Sequence, residues 1–373
     1  MIRKERDFFG FERLHYHQRS GIWAHSMQDV LKALNTSNPG FSTDIKPCIT
    51  QRTGFTPDIA AIEGYLHHKR LPGHTVLSEI HAVPPGYALE QTADNRLQLR
   101  PVPLCPRPGD LEVLLKHALG QALNSGKKIG LALSGGLDSA LLLALLQRMN
   151  ALSKVKVYIL VSNIPDYCER DAALELARAM DTPVTLIQVA ERDFVLALPD
   201  TVRAIEEPVF NLHPVAKLLL AQAMARDGIG LAITGDGADQ VLRRDQSANY
   251  LPLCNALFRA AGIGLSTPFL NPDVVAHVVS LPADPHQQCL RALGARLNLP
   301  ARLVHGAKRS RLAPAMNLSS LPEAAHIGAM AQSLGLATPV LNTDDQHVLW
   351  VSMTLLLSQL GVFAPDTRSP QQG

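Results

Sequence analysis

Residues 131–146 read LALSGGLDSALLLALL: an apolar run, a knot of two glycines, two serines and one aspartate, then a second apolar run. The first run, from Lys128 to Leu133, has the content of a buried strand, and the second, from Ala140 to Met149, that of a leucine- and alanine-rich helix. The knot therefore joins the carboxyl end of a strand to the amino end of a helix, where unpaired backbone N–H groups and the helix dipole favour an anion. Glycine lets that backbone approach a ligand, Ser134 and Ser139 add hydroxyls, and Asp138 offers the hard oxygen that magnesium binds. A phosphate chain suits such a loop; taken alone, a common turn with a carboxylate cap is the alternative. A Walker A loop is excluded. Its nearest candidate, GQALNSGKK at 120–128, has one residue too many, lacks the final Ser or Thr, and precedes a strand instead of following one.

Beyond the knot, strand and helix signals alternate. Val155 to Ser162 is β-branched, Glu169 to Met180 has helical apolar spacing, and Pro183 to Val189 is a third strand. Pro214 to Arg226 is a helix with proline at its start and Gly228 just past its end; Gly230 to Thr234 is a fourth strand. This alternation predicts a parallel sheet with helices on both faces. From Pro268 onward the pattern turns helical, and the late apolar stretch Val348 to Pro365 is interrupted by polar residues, so it reads as a core helix. A second knot, TGDGADQ at 234–240, again follows a strand and again combines glycines with carboxylates. In an open parallel sheet, ligands gather outside the carboxyl ends of the strands, so the two knots can face one site where Asp138 and Asp239 share magnesium. A D-G turn is the plain reading of Gly235–Gly237 in isolation.

Bulk properties narrow the classes of partner. A chain of 373 residues, 46% hydrophobic and 18% charged, exceeds one average domain and can bury a large core. A net charge of +2 lacks the basic excess of a nucleic-acid binder, and no stretch is long and apolar enough to suggest a membrane partner. Five scattered cysteines with no C-x-x-C pair argue against a disulfide framework and a zinc site; a reducing cytoplasm is the expected location. The start has basic residues without an apolar run behind them, unlike a secretory signal. Four prolines in PVPLCPRP, 101–108, mark a linker. Fourteen histidines, including the pair His67-His68, show no metal-binding spacing.

SGGLDS resembles the pyrophosphate-loop signature of the N-type ATP pyrophosphatases, and its pairing with GDGAD at 235–239 resembles the synthetase domain of the asparagine synthetase family. Similar segments follow in the family's order: Glu206-Glu207-Pro208-Val209-Phe210, Thr267-Pro268-Phe269-Leu270-Asn271, Leu290-Arg291, Leu299-Pro300 and Lys308-Arg309-Ser310. In the N-terminal part, Arg6-Asp7-Phe8-Phe9-Gly10 with Leu14-His15-Tyr16, and Pro84-Pro85-Gly86, resemble stretches of the family's glutaminase domain. The resemblance implies two domains. Residues 1–105 would be a truncated α+β remnant of an Ntn-type glutaminase domain, and 106–373 an α/β, parallel-sheet, adenine nucleotide alpha-hydrolase-like (PP-loop) synthetase domain with a helical C-terminal part.

The resemblance also implies ATP and Mg2+ as cofactors. Leu133, Ser134, Gly135, Gly136, Asp138, Ser139, Val161 and Gly235 would bind the nucleotide, Asp138 and Asp239 the metal, and Lys308 and Asp236 would be catalytic. Glutamine-hydrolysing members open on a cysteine, whereas Ile2 follows Met1 here, so this chain is expected not to use glutamine. That places it beside β-lactam synthetases and lasso-peptide cyclases, which supply the amine from the substrate itself. Asp236 fills a slot where asparagine synthetases carry an acid and β-lactam synthetases a tyrosine, and Arg243-Arg244-Asp245 replaces the family's G-G-Y. Asp245, Asn249 and Tyr250 are further candidates for the base.

Three functions stay open on this reading: an amide synthetase cyclising a small molecule or peptide, an asparagine synthetase fed by ammonia or a separate glutaminase, and a non-catalytic nucleotide-binding relative. The expected partner is a small-molecule or peptide carboxylate and amine substrate, with room for a homodimer or a partner glutaminase.

Overall fold

A computed structural model describes residues 2–36, 55–92, 96–164, 170–244, 250–306, 316 and 318–364. Among them, the N-terminal part is built from six short strands and two helices. These are β1 (Ile2–Glu5), β2 (His15–His17), β3 (Ile22–Ala24), α1 (Met27–Thr36), α2 (Ile59–Leu66), β4 (Ile80–Ala82), β5 (Tyr87–Gln91) and β6 (Leu97–Pro101). The strands pair antiparallel in two sheets, β1-β5-β6 and β3-β2-β4. Leu14, Tyr16, Val83, Leu89 and Leu97 form a small core between them. After β6 the proline-bearing segment 102–110 holds no regular element.

The second part begins with α3 (Leu111–Leu123), whose first turn is capped by Asp110 accepting from the Val113 N–H. Then come β7 (Ile129–Ala132), α4 (Leu137–Arg148), β8 (Val155–Ser162), α5 (Arg170–Ala179), β9 (Val184–Val189), α6 (Glu191–Ile205), α7 (His213–Arg226), β10 (Leu231–Ile233), α8 (Ala238–Arg243), α9 (Leu251–Ala260) and β11 (Gly264–Ser266). Helices α10 (Pro272–Ser280), α11 (Gln288–Arg296), α12 (Ala301–His305), α13 (Pro322–Ala325), α14 (Ile327–Ser333) and α15 (Asp344–Gln359) complete the chain. Each strand expected between Lys128 and Thr234 is present and parallel to its neighbours. Helices α3, α6, α8 and α9 and strand β11 were not expected from the sequence; β11 is only three residues long, and α6 carries Pro199 in its interior.

The strand order β11-β10-β7-β8-β9 positions the site. From the central strand β7 the chain winds outward through β8 and β9, then returns to the other side of β7 through β10 and β11. The direction of winding therefore reverses between β7 and β10, whose residues pair Leu131 with Ile233. At such a switch point the loops leaving adjacent strands splay to opposite faces and open a crevice at their carboxyl ends.

Alternate residues of the sheet feed two cores. Val157, Ile159 and Val161 of β8 face one side with Leu131, Leu141, Leu145 and Leu293; Tyr158 and Leu160 face the other with Phe194, Leu218 and Phe258. Helix α4 is buried all round, with Leu141, Leu142, Leu143, Leu145 and Leu146 fully covered, each worth about 1.5–3 kcal/mol. Met27, Ile62, Tyr65 and Ile80 of the N-terminal part lie in the same apolar layer as Phe194, Leu198 and Met353. Among the described residues, no helix is long and apolar enough to cross a membrane.

Candidate active site

The first knot sits at the switch point. Leu133 closes β7 by donating its N–H to the Tyr158 carbonyl, and the chain then turns through Ser134, Gly135 and Gly136 into α4. The Ser139 hydroxyl holds the turn shut. It accepts from the Ser134 N–H at 3.1 Å and lies 3.1 Å from the Ser134 carbonyl and 3.0 Å from the Ser134 hydroxyl, which itself accepts from the Gly136 N–H. Gly136 is the N-cap of α4 and has no side chain to satisfy the first-turn N–H groups, an arrangement suited to an anion. Leu133 and Val161 have buried side chains, so any part they take is through their backbones.

The second knot touches the first. A Cβ on Gly235 would lie 2.9 Å from the Ser139 nitrogen and 3.1 Å from the Asp138 Cβ, so only glycine allows this approach. Gly237, at φ +96°, turns the chain into α8 beneath Leu270. The two acidic side chains are thereby brought together: Oδ1 of Asp138 and Oδ1 of Asp239 each accept, at 3.1 Å, from the same Nε2 of Gln287. Gln287 is 2% exposed and sits at the entrance of α11. On the outer side, Arg243 Nε lies 3.7 Å from Asp239 Oδ1.

Asp236 is engaged by two side chains. Its carboxylate is 8% exposed and points beneath the loop, taking the Lys217 ammonium at 2.6 Å on Oδ2 and the Tyr250 hydroxyl at 2.8 Å on Oδ1. Burial alone would raise its pKa, but the Lys217 charge and these hydrogen bonds outweigh it and hold the carboxyl well below the usual range. A carboxylate held in this way also anchors Lys217 and Tyr250, beside the catalytic role expected of it from the sequence. Lys308, Asp245 and Asn249 lie outside the described residues.

The segment Glu206–Phe210 ties the N-terminal part to the second part. Glu206, in left-handed backbone, binds Arg13 Nη2 at 2.9 Å and accepts the Met27 and Gln28 N–H groups at the start of α1. Glu207 binds Arg70 at 2.7 Å, and Arg70 also stacks on Phe210. In the N-terminal part, Arg6 is buried and donates to the carbonyls of Val83, Gly10 and Glu12, tying Arg6–Gly10 to the segment before Pro84. Gln287 and Lys217 were not legible in the sequence, since neither lies in a recognisable motif.

Residues 110–243 match the asparagine synthase family model. The matched segment contains both knots and Lys217, and leaves out Gln287 and the N-terminal part. Putative glutamine-hydrolysing asparagine synthetases of Mycobacterium bovis and Mycobacterium tuberculosis are 27% identical over 135 residues, 36% of this chain. That alignment spans only 20% of the length of those relatives. Among solved structures, the NH3-dependent NAD synthetase of Campylobacter jejuni and the NMN synthetase of Francisella tularensis align at 14% identity with a TM-score of 0.33. They cover 69% of this chain and 97% and 96% of their own.

Proposed function

From the match of residues 110–243 to the asparagine synthase family model, we propose that the chain is an ATP-dependent, AMP-forming carbon–nitrogen ligase that activates a carboxylate and joins it to an amine. The observation that supports this reading is the meeting of the two knots at the switch point, with Asp138 and Asp239 converging on one atom.

The donor set fits Mg2+. Two carboxylate oxygens face a common point, and no cluster of three or more acidic, histidine or cysteine ligands occurs among the described residues. Magnesium is commonly held by one or two carboxylates, with substrate phosphates and water completing its shell. When bound, it would offset the charge of the phosphates.

The first step is attack of the substrate carboxylate on the α-phosphorus of ATP, forming an acyl-adenylate and releasing pyrophosphate. The N–H groups at the start of α4, with the Ser134 hydroxyl, bind the departing pyrophosphate. An amine then attacks the acyl carbon and AMP leaves. Lys308 is assigned to neutralise the oxyanion of this second step. Asp236 is assigned a positioning role, fixing Tyr250 and α7 under the loop.

The amine belongs to the substrate itself in this proposal, making the product a lactam or macrolactam of a specialised metabolite. The N-terminal part then acts as scaffold, a role in keeping with the use of Glu206 and Glu207 as anchors for Arg13 and Arg70. Purified protein incubated with ATP, Mg2+ and candidate amino acids or peptides tests this. Pyrophosphate and AMP formed without ammonia or glutamine, with a cyclised product 18 Da lighter than the substrate by mass spectrometry, are expected. Turnover restricted to aspartate plus ammonium would replace it with the asparagine synthetase reading.

A further inference from the structure

Gln287 belongs to no motif, yet it holds the centre of the acidic rim. Its backbone is left-handed (φ +56°, ψ +35°), a conformation uncommon for a non-glycine residue. Its side chain reaches Asp138 on α4 and Asp239 on α8 with one nitrogen, at 3.1 Å in both cases.

Resting on the reading of this rim as the cation site of an ATP-using synthetase, we propose that Gln287 is a third oxygen ligand for the cation, supplied by rotation of its carboxamide. The nitrogen and oxygen ends of a carboxamide are nearly equal in size and exchange places when the terminal torsion turns by half a circle. With nitrogen forward, the group donates to both carboxylates. With oxygen forward, it presents a further acceptor at the same point, which two carboxylates tolerate only around a positive charge. Neighbouring oxygens of an octahedral magnesium shell, at 2.0–2.1 Å from the ion, lie about 2.9 Å apart. The 3.1 Å separations of Gln287 Nε2 from the two carboxylate oxygens are already of that size. Arg243, at 3.7 Å from Asp239 Oδ1, is half exposed and free to turn outward as the cation enters.

The test is a titration of Mn2+ in the presence of a non-hydrolysable ATP analogue, with free Mn2+ read by electron paramagnetic resonance and thermal unfolding followed with and without the ion. Wild type, Gln287→Met and Gln287→Glu are compared. The methionine variant, with no ligand oxygen, is expected to bind Mn2+ about tenfold more weakly. The glutamate variant, whose ends are both oxygen, is expected to bind at least as tightly as wild type and to gain more in Tm from Mn2+. If the amide acts only as a donor bracing the carboxylates, Gln287→Glu weakens Mn2+ binding as Gln287→Met does, and the proposal falls. Equal affinity in all three proteins overturns it as well. Should Gln287→Met fail to fold, Gln287→Glu against wild type decides. Wild-type protein that binds no Mn2+ with the analogue removes the synthetase reading and this inference together, whereas wild-type binding with a weakened glutamate variant removes the inference alone.

Discussion

Arg13 and Glu206, 193 residues apart in the chain, form a buried ion pair 2.9 Å long that joins the N-terminal part to the end of α6. Both side chains are more than nine-tenths covered, and Glu206 also caps α1. Removing one partner leaves the other charge uncompensated in a dry setting. Arg13→Leu is therefore expected to cost about 3–5 kcal/mol in urea unfolding and to speed proteolysis within the first hundred residues. Unchanged unfolding would show the pair to be incidental.

Asp138→Asn keeps the shape of the side chain and its link to Gln287 while removing the charge. Pyrophosphate release is expected to fall by about two to three orders of magnitude, with thermal stability close to wild type. Persistent turnover would mean that the metal is held elsewhere.

Asp236→Asn should behave in the opposite way. It strands Lys217, which is 5% exposed, and is expected to destabilise the fold by about 3–5 kcal/mol. At a temperature where the variant is folded, it should retain turnover within about tenfold of wild type. A stable but inactive variant would restore Asp236 as the base.

Gly235→Ala introduces a methyl group 2.9 Å from the Ser139 nitrogen. Overpacking of that kind costs about 1–3 kcal/mol, and here it pushes the two loops apart. Loss of turnover larger than the loss of stability is the expected outcome, measured by pyrophosphate release and by Tm on the same sample.

His15 lies buried beside Arg13 and Arg6, and its Nδ1 has no hydrogen-bond partner. Burial first, then the two arginines, hold its pKa well below the ordinary 6.5. The unfolded chain therefore binds a proton at this site that the folded protein refuses, so stability is complete above pH 6.5 and declines as pH falls below it, by up to about 1.4 kcal/mol per pH unit. His15→Phe should flatten urea-unfolding stability between pH 7.5 and 5.5; an unaltered pH profile would rule His15 out as the source.

Apart from α6, the strand and helix sequence from β7 to β10 was legible because each element there carries its own period and is punctuated by glycine or proline. Helix α4 starts at Leu137, three residues before its apolar run, because Gly136 caps it and Asp138 and Ser139 occupy its first turn. Helix α6 was hidden by Pro199. At the site, residues inside the two knots could be named in advance, since glycine and carboxylate cluster there. What the knots rest on could not: Gln287 arrives from α11, and Lys217 from α7, at distances in sequence that no local pattern spans. The acid at 236 reads as reactive in the sequence; that it also anchors Lys217 and Tyr250 emerges only in the fold.

The apolar layer that holds Met27, Ile62 and Tyr65 against Phe194 and Met353 ties the fate of the two parts to one another. Separating the first hundred residues from the rest would open that layer to water on both sides, leaving neither part with a closed interior of its own.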